Sequence, residues 1–386
     1  MVLDMPWDPN MGGPRVHIEL SEEYQKHGHV VDKFSMIDAF PHTPYSRLSE
    51  IVQPYFFAQR AAAFVHQHGH QYDVIDSHIG TMSIPKGALG FDGLVVARSH
   101  GLYAFYEEFN RVKKVKWPEK MTLRLAAHRA LHQIAGFRAR QNPLNSLKMA
   151  DLIILLNDDE LDFVRKNLGL GSKARVIPNG LSEARLHALD PGKEDVVARW
   201  SKRSIVFIGG WAPRKGARDW GLIVRQVRKE IPDARFLFLG TGFNSEVVLR
   251  DLALPPCDWI SILPSFETAK LPKLLAGATV AAFPSYIEGF PIAVLEKLAA
   301  GLPLVAYSVP GPRGMLRELP YKSMVSAGDA AGLAAALVSL LRLGAQDYLK
   351  LSENCRQVAR RYNWSEIASQ TLSAYQEKLM SLPGKP

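Results

Sequence analysis

Two cysteines, Cys257 and Cys355, stand among 386 residues. They are too few for a disulfide framework and fit a reducing cytosol. No uncharged apolar run approaches the ~20 residues that cross a bilayer. Met1 to Pro6 lacks the basic region and long apolar core of a signal peptide, so a cytoplasmic location is expected. Low-complexity tracts are missing, and 47% hydrophobic with 22% charged residues is the composition of a packed globular chain. The Gly-x-Gly-x-x-Gly fingerprint of dinucleotide enzymes is absent, as is an Asp-x-Asp pair. His66, His68 and His70 alternate instead of falling at i, i+4, so no metal site is expected from them.

Positive charge is abundant and unevenly placed. The formal net charge is +9, and ten basic residues between Arg111 and Lys148 face a single acid, Glu119. Trp117, Leu123, Leu131, Ile134 and Phe137 are interspersed at roughly helical spacing. Such a segment, 111–148, suits an anionic membrane surface. It equally suits a solvated basic face or a groove for an acidic substrate. Nucleic acid is not expected, because no base-reading motif or stacking platform accompanies the charge.

At ~100–200 residues per domain the length predicts two domains. Short β-branched runs alternate with longer amphipathic stretches throughout. Val2–Met5, Val30–Met36, Tyr72–Ser77, Leu94–Ser99, Leu152–Leu156 and Ala174–Ile177 read as strands of the first half. Ser204–Ile208, Arg235–Leu239, Trp259–Leu263, Thr279–Phe283, Leu302–Tyr307 and Ser323–Ser326 read as strands of the second. Strand–helix alternation implies parallel sheets covered on both faces, and six strands per half implies two Rossmann-like domains. The break falls near Pro178-Asn179-Gly180, and three helical segments follow Ala327, the last opening near Trp364.

Three glycine-bearing stretches carry candidate chemistry. Gly12 and Gly13 lie between a strand and a helix, where backbone N–H groups approach a phosphate; a plain tight turn is the competing reading. Gly209-Gly210-Trp211-Ala212-Pro213-Arg214-Lys215-Gly216 follows a buried strand and presents two cations. Lys215 would act as a point charge on a diphosphate and Arg214 as a fork, unless both are surface residues. The richest stretch runs from Phe283 to Pro303. There Glu288 falls in the loop before a helix opened by Pro291, and Glu296 falls within that helix. Gly289 and Phe290 N–H groups would face a phosphate between them. Carboxylates so placed accept bonds from hydroxyls at two places on one ligand. Otherwise they are a dipole-favoured charge and a solvated helical Glu.

Pro284-Ser285…Glu288-Gly289-Phe290…Glu296…Ala300-Gly301-Leu302-Pro303 resembles the Glu-x7-Glu frame of the retaining GT-B glycosyltransferases, family four. The resemblance covers nearly the whole chain. Gly12-Gly13, His27-Gly28-His29-Val30-Val31, Asp73–His78, Ser99-His100-Gly101, Pro178-Asn179-Gly180 and Trp364 match its looser features. The family carries Gly-Arg where Gly209-Gly210 stands here, and that Arg holds the donor diphosphate. It also has Ala where Lys297 stands, a position expected to face solvent.

The resemblance implies two Rossmann-like domains facing across a cleft. These are an acceptor-binding domain, 1–185, and a nucleotide-sugar domain, 186–362; a C-terminal helix, 363–386, returns to the first. It implies no cofactor or metal, only a nucleotide-diphosphate sugar (UDP- or GDP-linked) as donor and a carbohydrate or lipid-linked acceptor. Glu296 would bind the ribose, Glu288 the donor sugar hydroxyls, and Lys215, with Arg214 and backbone N–H groups near Gly12, Gly13 and Gly289, the leaving diphosphate. His100, and less directly His78, is the candidate for contact with the reacting sugar or acceptor. Two other activities remain compatible with such a fold: a nucleotide-sugar epimerase, and a non-catalytic nucleotide-sugar-binding protein consistent with the missing Arg.

Overall fold

A computed structural model describes residues 1–41, 47–117 and 141–382. It divides into unit 1, Met1–Pro178 with Trp364–Pro386, and unit 2, Asn179–Asn363. All strand pairings are parallel.

Unit 1 holds β1 (Val2–Leu3), β2 (Phe34–Ser35), β3 (Val74–His78), β4 (Leu94–Arg98), β5 (Leu152–Leu155) and β6 (Ala174–Val176). Their order in the sheet is β2-β1-β3-β4-β5-β6. Unit 2 holds β7 (Ser204–Ile208), β8 (Arg235–Leu239), β9 (Ile260–Leu263), β10 (Val280–Phe283), β11 (Leu304–Tyr307) and β12 (Met324–Val325), in the order β12-β11-β10-β7-β8-β9. All twelve expected strands form. Strand β2 is shorter than its apolar run because Val30 is 91% exposed and the sheet's edge begins only at Phe34.

The inner strands read as unbroken apolar runs because helices cover both faces. Every residue of β4, β5, β7, β10 and β11 is buried. In unit 2 the rings of Phe207, Trp211, Trp220 and Phe238 meet edge-on, an arrangement that adds to their area burial. Gly301, at φ 64, terminates the Ile292–Ala299 helix in the left-handed region.

Residues 179–185 fall in unit 2, not the first domain, because Leu181 bridges Asn363 and Arg185 reaches Glu296. The last helix, Trp364–Met380, packs in unit 1. Its Trp364 indole donates to Glu19 at 2.6 Å, and its Tyr375 hydroxyl donates to Asp76 at 2.5 Å.

Within the basic stretch, Lys113, Lys114 and Lys116 lie in the last turn of the Tyr103–Lys116 helix, where cations favour the helix dipole. Lys120, Arg124, Arg129, Arg138 and Arg140 lie outside the described residues. No helix among the described residues is long and apolar enough to cross a membrane.

Candidate functional site

The unit 2 sheet turns back on itself between β7 and β10. The chain steps outward from β7 to β9, then returns to place β10 on the other side of β7. Loops leaving the carboxyl ends of two such strands diverge and open a crevice for ligands. The Gly209–Gly216 stretch leaves β7, and the Pro284–Pro291 stretch leaves β10. Both sequence candidates thus start at the reversal point.

Close backbone contact holds the two loops together. The Tyr286 N–H donates to the Arg214 carbonyl at 2.8 Å. Gly216 has φ 81, and a Cβ there would stand 2.3 Å from the Pro284 carbonyl oxygen. No side chain fits, so glycine is required at this position. Gly216→Ala is expected to destabilise unit 2 by about 1–3 kcal/mol and to misplace Lys215. Denaturant unfolding followed in unit 2 checks this, and an unchanged midpoint would contradict it.

This clamp sets Lys215 against Glu288. The Lys215 ammonium donates to Glu288 Oε1 at 2.5 Å, and both side chains are largely buried. A hydroxyl of Tyr286 and one of Tyr307 both donate to Asp219 Oδ2, at 2.6 and 2.7 Å, which braces the same loop from behind. Burial, and next the bond to Asp219, raise both phenols so that they stay protonated donors.

Glu296 lies in the Ile292–Ala299 helix and is 4% exposed, so it is not a solvated helical residue. Its Oε1 accepts from Arg185 Nη2 at 2.8 Å and Nε at 3.3 Å. Arg185 comes from the Glu183–Leu189 helix, capped by the Ser182 side chain, and also donates to the Thr268 carbonyl at 2.9 Å. Its role was missed in the sequence, where nothing ties residue 185 to residue 296. Each motif glutamate is therefore already paired with a buried or half-buried cation.

The other candidates divide. Arg214 is exposed, and its backbone carbonyl does the bracing. Gly289 is buried in the loop entering the helix; the Phe290 ring turns to Tyr362, centroids 5.5 Å apart. The expectation for Lys297 is overturned. The side chain is 0% exposed, not solvent-facing, because it points to β10, with its ammonium 4.8 Å from the Phe283 ring centroid. Burial, and next the nearby Lys215 charge, lower its pKa to about 7.

Unit 1 gathers a second constellation at its own reversal point, between β1 and β3. His78 Nδ1 lies 2.5 Å from Asp4 Oδ1. The His100 ring stands edge-on to His78, centroids 4.7 Å apart, and stacks on His17 at 4.8 Å. Gly12 and Gly13 open the Gly12–Lys26 helix, whose N-cap, Met11, makes no side-chain bond. A Cβ at Gly13 would stand 3.0 Å from Met5 Cε and 3.4 Å from His100 Nδ1, so the helix start lies against the imidazole and the Met5 side chain is its tight neighbour. His17 was missed; its spacing of four from Gly13 was the available signal.

Burial pushes the His78 imidazole down, but the Asp4 carboxylate more than offsets this and its pKa lies above the ordinary value. Burial, and next the His78 charge, hold His100 well below its ordinary value. His17 is lowered likewise, by burial and then by Arg98. His100 Nε2 is buried without a partner among the described residues. Buried polar atoms of this kind need an explanation, and a ligand hydroxyl is one. No group of three or more His, Cys, Asp or Glu among the described residues is placed to hold a metal ion.

Residues 202–343 match the family model of the glycosyl transferases group 1. Over 211 residues the chain is 32% identical to the phosphatidyl-myo-inositol mannosyltransferase of Mycobacterium leprae, covering 54% of each chain. The chain spans about half the length of that curated relative. The solved sucrose-phosphate synthase of Thermosynechococcus elongatus superposes with TM-score 0.75 at 19% identity, over 98% of both chains. Anabaena HepE, solved with UDP-glucose, superposes with TM-score 0.66 at 17% identity, over 99% of both. Two six-stranded parallel sheets and these superpositions show that the chain has the GT-B fold, and its 202–343 segment matches the group 1 glycosyl transferases.

Proposed function

We propose that the chain is a retaining glycosyltransferase that moves a sugar from a UDP- or GDP-sugar to a carbohydrate or lipid-linked acceptor without a metal. The observation that carries this reading is the Lys215–Glu288 pair beside the Arg185–Glu296 pair, where the unit 2 sheet reverses. A carboxylate has about four acceptor positions, so the one bond from Lys215 leaves Glu288 room for sugar hydroxyls. Glu288 takes the donor sugar hydroxyls and Glu296 the ribose. Lys215 stabilises the leaving diphosphate, where charge develops in the transition state. Retention follows same-face attack, with the departing phosphate accepting the acceptor's proton and the protein supplying position and charge.

Unit 1 supplies the acceptor side in this reading. His100, held neutral beside the His78–Asp4 pair, offers Nε2 to a hydroxyl of the reacting sugar or acceptor. The mannosyltransferase relative is named for phosphatidyl-myo-inositol, and HepE was solved with UDP-glucose. Both support a lipid-linked or sugar acceptor and a nucleotide-sugar donor. The basic stretch 111–148 supports an acidic acceptor or an anionic membrane surface, at the cytoplasmic face.

Purified protein incubated with UDP- and GDP-sugars, with and without candidate acceptors, is expected to release free nucleotide only when acceptor is present. Interconversion of the sugar would make it an epimerase. Binding with neither outcome would make it a nucleotide-sugar-binding protein.

A further inference from the structure

Lys297 is a charge buried where the fold needs none. It sits in the Ile292–Ala299 helix beside Val294, Leu295, Leu298 and Ala299, all buried. Methionine would fill similar space without desolvating an ammonium. The one hydrogen bond it makes among the described residues is long, 3.4 Å to the Ala282 carbonyl.

Its surroundings are the candidate donor site. The Lys297 and Lys215 ammonium groups lie 4.8 and 5.5 Å from the same Phe283 ring centroid, both within cation–π range. They are therefore at most about 10 Å apart. The charged groups acting on Lys297 are Lys215 from the loop after β7, Glu288 from the loop after β10, and Glu296 from its own helix. Glu288 is already bonded to Lys215, and Glu296 to Arg185. With Lys297 protonated, three cations thus share two carboxylates and one positive charge is in excess, which either a bound anion or loss of the Lys297 proton relieves.

The loop after β7 has glycine at 210 and an exposed Arg214, so of its residues it is Lys215 that brings a cation to Glu288. We infer that Lys297 supplies a further positive charge under the donor diphosphate, as a positioning residue acting through Phe283 and Lys215 and not by contact. This deepens the glycosyltransferase reading and rests on it. With its pKa lowered to about 7, mainly by burial, the unliganded side chain loses its charge as pH rises through neutrality, so affinity for an anion falls over that range.

The test is calorimetric titration with UDP-glucose and GDP-mannose, whose diphosphates have no secondary ionisation near neutrality, from pH 6 to 8.5. Wild-type affinity for the donor it accepts is expected to fall about tenfold across that range. Lys297→Met is expected to bind about tenfold more weakly at pH 6 and to show a flat profile. Adding Gly210→Arg to that variant is expected to restore affinity while keeping the profile flat. A Cβ at Gly210 meets nothing within 4 Å, so a side chain can leave the backbone there without a clash at its first atom. A Lys297→Met protein with the wild-type affinity and pH slope overturns the inference while leaving the glycosyltransferase reading intact. A wild-type protein that binds neither compound overturns both. Should the methionine variant not fold, Gly210→Arg alone decides. A pH slope flattened by the added arginine supports the inference, and a wild-type slope kept in full overturns it.

Discussion

Glu288→Ala is expected to lower turnover by about a thousandfold while nucleotide affinity stays level or tightens a few-fold. The asymmetry follows from the pair that the carboxylate makes. Glu288 neutralises Lys215 at 2.5 Å, so its removal frees that ammonium for the diphosphate. In the proposed reading the same removal takes away the group that fixes the donor sugar, and misplacement at the reacting centre is costly. The ribose contact proposed for Glu296 is expected to remain, with Arg185 still bonded to that carboxylate. Steady-state kinetics beside calorimetric titration with UDP or GDP separate the two effects. A variant within tenfold of wild-type turnover would remove Glu288 from the chemistry; parallel loss of turnover and nucleotide binding would make it a structural residue.

Asp76→Asn is expected to destabilise unit 1 by about 3–5 kcal/mol, because it strands a buried guanidinium. Arg98 is 0% exposed and donates to Asp76 through Nε at 3.0 Å and Nη2 at 2.7 Å. The same Nη2 reaches Tyr375 at 2.9 Å, and Tyr375 in turn donates to Asp76. No other carboxylate is bonded to this arginine among the described residues, so the amide leaves its charge uncompensated. Hydrogen exchange read on β3 and β4 is expected to rise steeply while β7 and β10 keep wild-type protection. Equal loss in both units, or none, would refute the assignment.

The fold was legible because parallel strands buried on both faces leave uninterrupted apolar runs. Ser204–Ile208 and Leu94–Arg98 showed this without help from neighbours. Glu288 and Glu296 were legible through their glycine and proline frame, which fixes where a loop becomes a helix. Arg185 was not legible, since a partner more than a hundred residues away leaves no local trace. Lys297 misled for a related reason: a lysine beside a polar motif residue reads as exposed unless the ring that receives it is known. His17 was hidden inside an ordinary amphipathic helix, because stacking on His100 joins two segments far apart in sequence. Periodicity reports which face of an element is covered, not which side chains meet there.

The route of the chain has a consequence for biogenesis. Asn179–Asn363 is one continuous segment, whereas the other body needs both the first 178 residues and the helix beginning at Trp364. While the polypeptide emerges from the ribosome, Arg98 and Asp76 are made long before the Tyr375 hydroxyl that closes over them. Closure of the first body therefore waits for residues made after the whole of the second. The earlier-made one waits with an open polar centre, and that interval is when chaperones would have most to shield.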